Sequence, residues 1–83
     1  MTNGPVQVGY AFECMKKNGK TYGGSIVKVA SYPRGTLVTV KYFEDDEYDD
    51  NFNGRTVKVQ NPAYRSIYLE DCITWTTEQP AIF

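Results

Sequence analysis

The feature that most constrains this chain is its hydropathy period, which is two rather than 3.6 along most of its length. Val6, Val8, Tyr10, Phe12 and Cys14 alternate with Gln7, Gly9, Ala11 and Glu13, the pattern of a half-buried strand. Lys16-Lys17-Asn18-Gly19-Lys20 supplies an Asn-Gly turn, a strong hairpin signal. Gly23-Gly24 predicts a bulge or sharp bend. Ser25–Ala30 reads as a strand, Tyr32-Pro33-Arg34-Gly35 as a turn with Pro and Gly where such a turn favours them, and Thr36–Phe43 as the returning strand. Residues 44–54 are too polar to continue that strand inside a core and are expected to form a long loop ending in Asn53-Gly54. Arg55–Gln60 alternates again, Asn61-Pro62-Ala63-Tyr64 reads as a turn, and Ser66–Leu69 as a short last strand. Glu70–Trp75 is expected to be extended or a single turn, with 1–5 a flexible start and 76–83 a tail that Pro80 keeps out of a central strand. No stretch supports a helix of three turns.

Short strands separated by turn signals, in 83 residues, predict one all-β domain over 6–75. About seven strands are needed for an immunoglobulin-type sandwich, so a small, strongly bent five-stranded barrel fits the length better, with the acidic loop between its third and fourth strands. Gly24-Ser-Ile-Val-Lys-Val-Ala, a turn, Leu37-Val-Thr-Val-Lys-Tyr-Phe-Glu-Asp and then Arg55-Thr-Val-Lys-Val resemble the central meander of SH3-like barrels of the Tudor and KOW kind. The resemblance spans about residues 24–60 and implies a binding module rather than a particular ligand. Tudor-like proteins are similar in placing an aspartate-rich turn after such a strand, where this chain has a longer acidic loop.

Composition narrows the chemistry. Histidine is absent and cysteine occurs twice, as Cys14 and Cys72, so there is no Ser-His or Cys-His pair, no His-bearing zinc site and no four-thiolate site. Catalysis would fall to carboxylates such as Asp46 and Asp49, whose exposed setting excludes too little water to tune their pKa values. A non-catalytic protein without cofactor or metal is expected. The cysteines read as buried reduced thiols; the alternative is a bridge between the first strand and the last. No apolar run approaches the roughly 20 residues of a membrane helix, and the first residues lack a basic cluster with an apolar stretch behind it. The expected location is therefore cytoplasmic.

Charge is segregated beneath a net of −1: residues 1–43 carry six basic side chains and one acidic, residues 44–83 three basic and nine acidic. Glu44, Asp45, Asp46, Glu47, Asp49 and Asp50, with Tyr48 and Phe52 among them, form the sharpest local feature. Carboxylates that steer and aromatics that anchor suit contact with a basic protein surface. A polyanionic loop also imitates nucleic-acid phosphates, as small viral inhibitors do. The rival reading is a solvated tip whose aromatics fold back on the barrel. Asp49-x-Asn51-x-Asn53-Gly54 matches the first half of a calcium loop, but Gln60 stands where the bidentate Glu is required, and an Asn-Gly turn explains the same residues. The basic set Lys16, Lys17, Lys20, Lys28, Arg34 and Lys41, with Tyr22, Tyr32 or Tyr42 as stacking faces, is the alternative site, for nucleic acid. Lysines on edge strands also guard against aggregation. A third reading is a structural subunit of a larger assembly, with the exposed edges and Ala81-Ile82-Phe83 as contacts.

Overall fold

A computed structural model describes residues 4–80. Five antiparallel strands, β1 (Ala11–Lys16), β2 (Thr21–Tyr32), β3 (Gly35–Asp50), β4 (Arg55–Tyr68) and β5 (Cys72–Glu78), form one sheet in the order β4-β3-β2-β1-β5. The first two turns fall where local chemistry placed them. Asn18 Oδ1 accepts from the Lys20 N–H (2.9 Å), and Pro33-Arg34 is the two-residue connection between the paired residues Tyr32 and Gly35.

The all-β expectation holds, but the sheet is open: among the described residues no ladder joins β4 to β5, which occupy its two edges. It is nevertheless curled. One 3₁₀ turn, Leu69–Asp71, carries the chain from β4 to β5, roughly 8 Å at 3₁₀ rise. The edges of a flat five-stranded sheet lie about 19 Å apart. β2 makes the curl by serving two neighbours in succession, β1 along Thr21–Ser25 and β3 from Ser25 onward. At the handover the β2 and β3 backbones almost touch, and a Cβ on Gly24 would meet the Lys41 carbonyl oxygen at 2.5 Å, so only glycine fits. The bend expected at Gly23-Gly24 is thus a close crossing, whereas the shift of register sits at Val27, between Ile26 and Lys28. That shift turns Val27 outward and leaves Ile26 buried.

Phe12 and Cys14 of β1, Ile26 of β2, Val38 and Val40 of β3 and Ile67 of β4 form the buried core. Tyr10, Tyr22, Leu69, Cys72 and Trp75 pack around it, with the Trp75 and Phe12 rings stacked at 6.2 Å. Both cysteines are free thiols. The 3₁₀ turn is tied to the β2–β3 turn: Glu70 accepts from the Thr36 N–H (3.2 Å), and Arg34 reaches Asp71 (3.3 Å) while lying over the Tyr68 ring (4.5 Å).

Several boundaries differ from expectation for identifiable reasons. The first strand begins at Ala11 rather than Val6, because a turn at Val8-Gly9 intervenes and the Gly9 N–H donates to the Ile26 carbonyl. Asn61–Tyr64 is no turn but the middle of β4, paired with Lys41–Glu44. β4 is an edge strand, so the N–H that Pro62 lacks is not missed. Thr76–Glu78 belongs to β5 rather than to a tail, and Gly4 lies against Thr77. Residues 1–3 and Ala81-Ile82-Phe83 fall outside the described residues. Among the described residues no helix is long and apolar enough to cross a membrane.

Candidate functional site

The acidic stretch is the main correction. Residues 44–50 are not a loop; they continue β3, paired residue for residue with β4 from Glu44↔Asn61 to Asp50↔Arg55. Only Asn51–Gly54 turns the chain. The result is a two-stranded arm that projects from the body. The radius of gyration is 16.1 Å, against about 12 Å for a compact chain of this length.

A strand tolerates such a sequence because its side chains alternate. Glu44, Asp46 and Asp50 share the face that carries Val38 and Val40 into the core, and Asp45, Glu47 and Asp49 take the other. Carboxylates two residues apart are then roughly 6.6 Å from each other, where repulsion in water is about 0.6 kcal/mol before salt screening. β4 supplies compensation. Gln60 donates to Asp45 (3.2 Å), Asn61 to Asp46 (2.7 Å) and Thr56 to Asp49 (3.4 Å), and Lys58 lies 3.9 Å from Glu47. Glu44 accepts from the Tyr42 hydroxyl (3.1 Å).

At the tip, Asp50 builds the turn. Its carboxylate accepts from the Phe52 N–H (3.1 Å) and the Asn53 side-chain amide (2.9 Å), its carbonyl accepts from the Gly54 N–H (2.8 Å), and Gly54 adopts φ +66°. The Asn53 amide first, and then the Phe52 N–H, hold the Asp50 carboxyl below the usual carboxylate range. Asp50 is therefore a turn-former, and the turn it makes with Asn53 and Gly54 accounts for the Asn-Gly half of the calcium-like pattern. Asp49, the first ligand of that pattern, faces the other way. By the same alternation Asp46 and Asp49 lie on opposite faces and cannot act on one bound group.

The arm's aromatics do not fold back on the body. Phe52 is 98% exposed at the tip and Tyr48 is 55% exposed. Tyr48 lies directly across from Val57, and Val57 and Val59 are half-buried on the same face. These two valines escaped the candidate site, although their alternation with Thr56, Lys58 and Gln60 was the available signal. The face thus combines an apolar strip with carboxylates at its margins.

The basic set is not gathered. Lys16, Lys17 and Lys20 surround the β1–β2 turn, whereas Arg34 stands at the opposite end of the twelve-residue β2, roughly 35 Å away along an extended strand. Arg34 is engaged by Asp71 and Tyr68, and Lys41 lies over Phe43 (5.6 Å). Lys28 is exposed on β2. Two of the proposed stacking faces carry cations already. Lys16 and Arg65 lie over Tyr22 (5.4 and 4.3 Å), and Arg65 also lies over Tyr42 (5.0 Å). Arg65 was the residue missed, an inward-facing position of β4 between Ala63 and Ile67 where the alternation calls for an apolar side chain.

Comparison with protein-family models, curated proteins and solved structures returns no match. The reading of the site therefore rests on its residues.

Proposed function

We propose that this chain is a non-catalytic protein-interaction module whose acidic arm engages a basic surface on a partner protein. The observation that supports it is the arm itself. It carries six carboxylates against Arg55 and Lys58, a net of −4, and an almost fully exposed Phe52 at its tip. A purely solubilising projection has no use for an exposed aromatic. Charge raises the encounter rate and orients the partner, and the apolar contact slows its departure. An inhibitor that occupies a nucleic-acid groove is one form this takes. A nucleic-acid-binding barrel of the KOW kind is the weaker reading, since the six basic residues span both ends of β2 and two stacking faces are occupied.

The test is capture of the partner from the native cell, followed by kinetics with a variant in which Glu44, Asp45, Asp46 and Asp49 are changed to Lys. The association rate is expected to fall about tenfold or more while the melting temperature stays within a few degrees. A variant that associates as fast as the parent rejects the reading.

A further inference from the structure

The arm has a second property that its charge does not explain. β2 pairs with β3 only as far as Ser25↔Lys41, whereas the β3–β4 ladder continues to Asp50↔Arg55. From Tyr42 to Asp50, β3 has β4 on one side and, among the described residues, no strand on the other. No hydrogen bond from the backbone of residues 43–49, outside the β4 ladder, is present among the described residues. Such an edge offers a row of unpaired N–H and C=O groups to any extended chain. No proline interrupts it, unlike the outer edge of β4, where Pro62 stands at the arm's base.

The side chains along this edge select what can pair with it. Residues directly opposite in an antiparallel pair sit about 5 Å apart, where like charges destabilise and opposite charges stabilise. The edge strand of a second copy would set carboxylate against carboxylate. A strand rich in Lys or Arg would find an acidic partner at six of the seven positions from Glu44 to Asp50, three on each face. The charge is available, because Lys58–Glu47 is the arm's single ion pair among the described residues.

We infer that the free edge of β3 at residues 42–50 takes an extended, lysine- or arginine-rich segment of a partner protein as an added strand, the main-chain ladder giving the affinity and the alternating carboxylates the selection. The inference rests on the acidic arm being the binding element and adds how it binds. It makes the arm a three-stranded ribbon when occupied, the least number of strands that holds together well in water.

Two heptapeptides of alternating Lys and Thr decide it, one ordinary and one N-methylated at every backbone amide, with identical charge. The ordinary peptide is expected to bind about tenfold more tightly than the methylated one and to slow amide exchange at residues 43–49. Equal affinity with unchanged exchange overturns strand addition and leaves the acidic-arm reading standing, since charge alone then accounts for binding. Failure of both peptides to bind overturns strand addition as well, and the charge-reversal kinetics above then decide the wider reading. Sedimentation showing that the edge is covered by a second copy overturns it in favour of self-association.

Discussion

β3 is one strand with two halves. From Leu37 to Lys41 it has neighbours on both sides, and Val38 and Val40 are fully buried. From Tyr42 to Asp50 it has one neighbour and no buried residue. The alternation is the same in both. What differs is whether a second layer exists for the inward side chains to meet. The two halves show that a ladder partner is enough to make a strand, while a core needs curvature that brings other strands over it. An isolated hairpin is marginal in water, so the arm draws its order from the body ladder at one end and the Asp50 turn at the other.

The two halves separate most clearly under truncation of inward β4 side chains. Ile67→Ala removes a buried core side chain and is expected to cost about 2–5 kcal/mol. Val57→Ala, on the same face ten residues earlier, leaves solvent where a cavity would have been and is expected to cost less than about 1 kcal/mol. Urea unfolding of the two variants measures the difference. Equal costs would mean that the arm's inner face is packed as the core is.

Alkali acts on the body through Cys72. Burial first, and then the neighbouring Cys14 thiol, push the Cys72 pKa up to about 12. A thiol that keeps its proton more tightly when folded contributes stability in full below its unfolded value, about 8.5, and loses it as pH rises towards the folded one. Relative to Cys72→Ser, the parent is therefore expected to lose stability progressively between about pH 8.5 and 12. Parallel curves would place Cys72 in ordinary solvent contact.

Much of this division was legible in the sequence, and the failures share a cause. The turns at Asn18-Gly19 and Pro33-Arg34 depend on four or five neighbouring residues and fell where expected. So did Phe12, Val38 and Val40, whose polar neighbours mark them as one face of a strand. Asn61-Pro62 read as a turn because proline is excluded from central strands. That β4 is an edge is a property of the sheet order, which no local window contains. A local window holds the carboxylates of the acidic run as one cluster and predicts a loop, whereas alternation divides them between two faces and β4 brings Gln60, Asn61, Thr56 and Lys58 opposite. Strand count suggests closure into a barrel, but count does not determine whether the last strand finds the fourth. The candidate carboxylates therefore keep their place in the sequence but change their shape, from loop to strand. The same carboxylates, on a paired strand instead of a mobile loop, present a fixed spacing and an unpaired backbone.

Acid should loosen the tip of the arm through Asp50, with the least effect on overall stability. The Asp50 carboxyl sits below its usual range because the Asn53 amide and the Phe52 N–H bond its charged form. A group lowered by folding contributes above its unfolded value, about 3.9, and loses that contribution as pH falls through the lowered one. With Asp50 at the exposed tip, the consequence is local. Amide signals of Phe52, Asn53 and Gly54 should shift and exchange faster below about pH 4, while those of the Val38 and Ile67 ladder stay protected. Asp50→Ala should show the opened tip already at neutral pH. Acid opening that spread into the Val38 and Ile67 ladder would mean that the arm and the body fold as one unit, and the contrast between the two halves of β3 would then be one of exposure only.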